Sequence, residues 1–93
     1  MHRLAIKVDQ SLAIGSDIRV SATDIDVKGV RLIARGRILG GPNDGANFEH
    51  IHEMAVGSSV HLGPHVAVTL VAVRGEVARI DVFAPANVMV RSE

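Results

Sequence analysis

The sequence predicts an all-β protein, and three observations carry that prediction. Apolar residues recur at every second position along most of the chain, the period that turns one face of a strand to a core and the other to water. Aromatics make up only 2% of a chain that is 47% hydrophobic, so Val, Ile, Leu and Ala must fill the interior, and the β-branched members of that set favour strands. Finally, a strand-rich pattern that begins near Leu4 returns 48 residues later, when Val8 is laid on Val56.

The elements follow in order. Leu4, Ile6 and Val8 alternate with Arg3, Ala5 and Lys7 in a first strand, and Leu12 and Ile14 continue the pattern beyond a break at Asp9-Gln10. Gly15-Ser16-Asp17 is turn chemistry, since Gly accepts positive φ and Ser and Asp bond back to the backbone. Ile18, Val20 and Ala22 then form the apolar side of a third strand, but the phase slips to Ile25 and Val27, which predicts a bulge near Thr23-Asp24. Lys28-Gly29 marks a hairpin turn, and Val30, Leu32 and Ala34 line a fourth strand.

Gly36, Gly40, Gly41, Pro42 and Gly45 crowd the next stretch, so residues 36–47 read as a linker between a first unit, 1–35, and a second, 48–93. Within that second unit Phe48, Ile51 and Met54 fit a helical face, whereas the repeat argues for a strand, and both remain open for 47–56. Laid on each other without gaps, the units match Val8 with Val56, Ser11 with Ser59, Gly15 with Gly63, Val20 with Val68 and Arg31 with Arg79. Ala84-Pro85-Ala86-Asn87 forms a turn, and Val88 and Val90 alternate with Met89 and Arg91 in a fifth strand. The equivalent stretch of the first unit, Arg37-Ile38-Leu39-Gly40-Gly41, is too glycine-rich for a convincing counterpart. Together the units make one domain over 1–93, because a chain this short supports one core.

Leu4, Lys7-Val8, Ser11-Leu12, Ile14-Gly15, Asp17-Ile18 and Val20, followed far along the chain by Val73-Arg74-Gly75, Arg79-Ile80, Val82, Ala84-Pro85, Val88 and Val90, resemble the carbon storage regulator family of small bacterial RNA-binding translational regulators. The likeness covers about residues 4–20 and 73–91. It implies two interleaved five-stranded units in a compact antiparallel sandwich or barrel, here an intrachain pseudo-dimer, with strand 3–8 lying beside strand 87–91. It further implies binding of GGA-type elements in single-stranded mRNA loops through Leu4, Ala5, Lys7, Val90 and Arg91. Two positions depart from the family pattern: Ile6 stands where an arginine is expected, and Arg91-Ser92 where a His-Arg pair is expected. The C-terminal helix of typical members has no counterpart. A second site, combining strand 51–56 with Arg37-Ile38-Leu39, would carry His52, Met54 and Ala55 in place of Leu and two basic residues, and is expected not to work.

Other chemistries find less support. Ten Lys and Arg balance ten Asp and Glu, so any nucleic-acid affinity must come from a local patch. With no cysteine there is neither a disulfide framework nor a thiolate nucleophile, which suits a cytoplasmic protein. The N-terminal apolar run is broken at Asp9, so neither a signal peptide nor a membrane span is expected. His50, His52, His61 and His65 are clustered, but they form no closed ligand set; exposed imidazoles on a strand face are expected, with no metal and no cofactor. Ser11 and Ser59 are read as turn residues, and no catalytic constellation is visible, so no enzyme activity is expected. Arg31, Arg35 and Arg37 share a solvated strand face. The expected partner is an mRNA or small RNA. The alternative is a diverged family member that has lost RNA binding and works through a protein partner or further homo-oligomerisation.

Overall fold

A computed structural model describes residues 2–93, and nine strands account for most of them: β1 (His2–Lys7), β2 (Ser11–Ile14), β3 (Ile18–Asp26), β4 (Gly29–Arg37), β5 (Asn47–Ala55), β6 (Ser59–His61), β7 (Ala67–Arg74), β8 (Val77–Phe83) and β9 (Val90–Ser92). They build two antiparallel sheets, one in the order β1-β8-β7-β6 and the other β5-β4-β3-β2-β9. Among the described residues there is no helix, and hence none long and apolar enough to cross a membrane. Neither sheet closes on itself, so the architecture is two open sheets and not a barrel.

The alternation read from the sequence puts its apolar set where it should be. Val30, Leu32 and Ala34 of β4, Val20 and Ala22 of β3, and Ala78, Ile80 and Val82 of β8 are buried in one core shared by both sheets. The expected slip in β3 is a register shift between Ala22 and Asp24. The hairpin that follows turns one residue earlier than Lys28-Gly29 suggested. Asp26 pairs with Gly29, so Val27 and Lys28 form the two-residue turn, and the Asp26 carboxylate accepts hydrogen bonds from the N–H groups of Lys28 (2.7 Å) and Gly29 (3.1 Å).

Residues 47–55 are a full strand and not a helix. Phe48 and Met54 turn inward while Ile51 lies on the other face, 65% exposed, so the three-residue spacing that looked helical is divided between two faces of a strand. The glycine-rich segment is shorter than expected, because β4 runs to Arg37 and β5 starts at Asn47. Gly36 is needed where it stands. Its φ is +142°, and a Cβ there would lie 1.8 Å from the Asp17 carbonyl oxygen. Ser11 and Ser59 are not turn residues, since each begins a strand, and their hydroxyls bond across the ladder to Ser21 (3.0 Å) and Thr69 (2.6 Å).

The strand pairings repeat at the same 48-residue offset as the sequence. Leu4 pairs with Ile80 where His52 pairs with Leu32, Ser11 with Ser21 where Ser59 pairs with Thr69, and the bulge at Ala22/Asp24 returns at Leu70/Ala72. Small connections repeat too. The Asp9 N–H donates to the Ala22 carbonyl and the Gly57 N–H to that of Leu70, with φ of +69° at Asp9 and +91° at Gly57. Each half therefore places its first strand in the sheet that holds the other half's fourth, β1 on β8 and β5 on β4.

This corrects the expected neighbour of the first strand. Strand 3–8 does not pair with 87–91. β1 hydrogen-bonds to β8, while β9 hydrogen-bonds to β2 in the opposite sheet. Alternation assigns faces, not partners, and the backbone of β9 continues the ladder of the first half's second strand.

Candidate functional site

β1 and β9 are edge strands of different sheets that approach one another without pairing, and between them they hold all five residues proposed for RNA contact. Leu4, Ala5 and Lys7 are on β1; Val90 and Arg91 are on β9. Leu4 and Val90 are half-buried and pack against the core, whereas Ala5, Lys7 and Arg91 are exposed. The five thus lie on two strands that approach one another without a hydrogen-bonded ladder between them among the described residues.

The backbone at these edges is open. Lys7 gives its N–H to Gln10 Oε1 (3.0 Å), and its carbonyl accepts from the Gln10 N–H (3.1 Å), so the backbone polar groups of Lys7 face away from β8. Alternation in an antiparallel ladder gives Arg3 and Ala5 the same orientation, and among the described residues their outward N–H and C=O groups have no backbone partner. On β9, the Met89 carbonyl accepts from Gly15 N–H (2.6 Å) and the Glu93 N–H donates to the Ser11 carbonyl (2.9 Å), so odd-numbered residues bond to β2. Val90 and Ser92 are left facing outward. Four residues thus present unpaired donors and acceptors along two adjacent edges.

Charge around the edges is divided between held and free groups. Arg3 Nε donates to Asp81 Oδ1 at 3.0 Å, and that bond together with the carboxylate's charge raises the guanidinium's affinity for its proton. Arg19 holds Glu93 through two nitrogens, at 3.0 and 3.2 Å. Among the described residues, Lys7 and Arg91 make no salt bridge. A shallow pocket adjoins β9, lined by Gly15, Leu39, Val88, Met89 and Arg91 among others.

Ile6 has no exposed surface. Its replacement of the arginine expected there thus adds to the core and does not make the edge apolar. The solvated face holding Arg31 and Arg35 is pinned by ion pairs to Glu53 (2.6 Å) and Glu49 (3.8 Å). Neighbouring carboxylates on β5 offset its charge, with Glu53 acting most strongly on Arg31 and Asp24 weakly.

The second half offers a different surface. Residues 38–46 form a loop, with the Ile38 N–H donating to the Ala46 carbonyl and the Gly45 N–H to that of Ile38, so Arg37-Ile38-Leu39 supplies no fifth strand. His52 occupies the position of Leu4. It is not the exposed imidazole expected from the sequence. It is half-buried, with Nε2 shielded from solvent and without a partner, and burial first and the nearby His50 second lower its pKa below the ordinary histidine value. Phe48, His50 and His52 run along one side of β5 with ring centroids 5.7 Å apart at each step. Among the described residues no group of three or more His, Asp or Glu is arranged to hold a metal ion.

Fold and site together define an all-β, two-sheet protein with adjacent open edges. Set against known proteins, no protein-family model, no curated protein and no solved structure matches the chain.

Proposed function

We propose that the chain is an RNA-binding post-transcriptional regulator of the carbon storage regulator type, an intrachain pseudo-dimer that recognises GGA-type elements in single-stranded mRNA loops and so affects translation. The observation that carries this reading is the pair of open edges, β1 and β9, flanked by Lys7 and Arg91. Unpaired bases are read through hydrogen bonds to their edges, and the outward N–H and C=O groups of Arg3, Ala5, Val90 and Ser92 supply donors and acceptors without any side-chain cost. Lys7 and Arg91 take phosphate. The repeated strand pairing supports the pseudo-dimer, since each half lends its first strand to the other's sheet.

A chain with no net charge needs such a local site for any RNA affinity. The test is filter binding to a hairpin displaying GGA in its loop, against the same hairpin with the loop changed to CCA. Specific retention of the GGA hairpin at low salt is expected, and equal or absent retention of both refutes the reading.

A second reading is favoured by the ion pairs at the site. Asp81 and Glu93 already pair with Arg3 and Arg19, so that among the described residues Lys7 and Arg91 are the cations of β1 and β9 that make no salt bridge. In that reading the chain is a diverged family member that uses the same open edges for protein contacts. A stoichiometric protein partner purified with the chain in the absence of RNA supports it.

A further inference from the structure

The two sheets differ by one strand, and the 48-residue correspondence of pairings shows where that strand is missing. β2 carries β9 on its outer edge; its counterpart β6 ends the other sheet and carries nothing. Three signs mark the empty position. The Gly15 N–H donates to the Met89 carbonyl, but among the described residues the N–H of Gly63, its counterpart, makes no backbone hydrogen bond. The Ser11 carbonyl accepts from the Glu93 N–H, whereas among the described residues that of Ser59 has no backbone donor on its outer side. Leu12 and Ala13 are buried beneath the ladder that β9 extends, whereas Val60 is only half-buried and His61 is exposed.

The chain itself turns away from this position. Ile38 packs beside Gly63 much as Val88 packs beside Gly15, so the chain reaches the start of the edge before leaving it. A turn through Pro42 and Asn43 follows, in which Asp44 N–H donates to the Gly41 carbonyl (3.3 Å) and the Asp44 carboxylate accepts from Gly40 N–H (2.6 Å). That turn leads back to β5 instead of along β6.

We propose that the outer edge of β6 is a docking slot for an extended segment of a partner protein, which adds antiparallel as a fifth strand. Strand addition of this kind takes its affinity from main-chain hydrogen bonds and its selectivity from alternate side chains. The filled counterpart states the chemistry required. β9 sets Val90 inward against the core and Arg91 outward opposite Ala13. Opposite His61, the counterpart of Ala13, the groove is lined by His65, Phe83, Ser59 and Thr69 and contains no carboxylate. The imidazole N–H and hydroxyl groups of that lining are hydrogen-bond donors, so the occupant carries an aliphatic residue at the Val90 position and an acceptor side chain, a carboxylate, at the next. This slot is distinct from the β1 and β9 edges and stands without the RNA reading.

The test uses the full chain, labelled with nitrogen-15, and two synthetic peptides: one with the sequence of residues 87–93, and one with Glu at the position of Arg91. Both are expected to shift the His61 and Gly63 amides while leaving those of Ala13 and Gly15 unmoved, with the Glu peptide binding several-fold tighter. Amides that exchange only from the free fraction slow about tenfold at nine-tenths occupancy. No shift at His61 and Gly63 with millimolar peptide overturns the proposal, as do shifts confined to Ala13 and Gly15, which report displacement of β9. Tighter binding of the Arg peptide overturns the acidic preference. Protection that grows with protein concentration alone, together with a dimer mass, assigns the slot to a second copy and overturns it too, as does occupation of the same amides by a GGA hairpin.

Discussion

His52→Leu places at the second half's position the residue that the first half has at Leu4, and the structure predicts a more stable protein. His52 is half-buried on β5 opposite Leu32, which is almost fully buried, and the imidazole Nε2 is enclosed without a hydrogen-bond partner. An enclosed polar atom without a partner costs about 1–3 kcal/mol, and leucine removes that cost while adding apolar contact. The expected gain is about 1–2 kcal/mol, discounted because the side chain retains some exposure. In a domain of this size each kcal/mol is worth about 4–8 °C in Tm.

The pH dependence sharpens the test. Burial and the charge of His50 depress the folded-state pKa of His52, so between that value and the ordinary histidine value the unfolded chain binds more protons. Stability that is complete above the ordinary value, about 6.5, is lost as pH falls through this window. Melting curves followed by circular dichroism from pH 8 to pH 5 should show the wild-type Tm falling below about pH 6.5 and a flatter profile in His52→Leu. An unchanged or lower Tm at pH 8, or the same slope in both proteins, refutes the burial argument.

Two other substitutions separate structural from binding roles. Ile6→Arg restores the charge that the family pattern expects, but the side chain is enclosed in the core; an unpaired charge there costs at least about 3 kcal/mol, seen as a lower midpoint in urea. A native midpoint with stronger RNA retention contradicts the placement of Ile6. Gly36→Ala forces a Cβ against the Asp17 carbonyl at positive φ and is expected to lose more than about 1–3 kcal/mol in the same assay, whereas an unchanged midpoint contradicts the close approach of β3 and β4.

The sequence was most legible where one face of a strand is buried and the other wet. β3 and β4 show this, and the phase slip at Thr23-Asp24 even located a bulge. It was least legible where strands meet. β1 and β9 carry alternation that says which side is inward, but nothing local states that their partners are β8 and β2, because pairing is decided by the closure of two sheets. β5 was obscured by its own composition. His50 and His52 occupy its inner side where aliphatic residues would have declared a strand, and Ile51 stands on the outer. The residues proposed for RNA contact were named only through the resemblance. The open backbone of Arg3, Ala5, Val90 and Ser92 has no signature in side chains, and Ile6 read as a loss of surface charge until its burial was seen.

The β1 and β9 edges are the proposed RNA surface, and one titration decides it: an unlabelled GGA hairpin added to the nitrogen-15-labelled chain, with amide shifts followed residue by residue. The account predicts saturation at one RNA per chain, with the largest shifts at Arg3, Ala5, Val90 and Ser92, and a weakened, less salt-dependent complex in Lys7→Ala, whose slope of log affinity against log salt falls by about 0.7 for the lost phosphate contact. Saturation at two RNA molecules per chain, or shifts that leave these four amides unmoved, contradicts it.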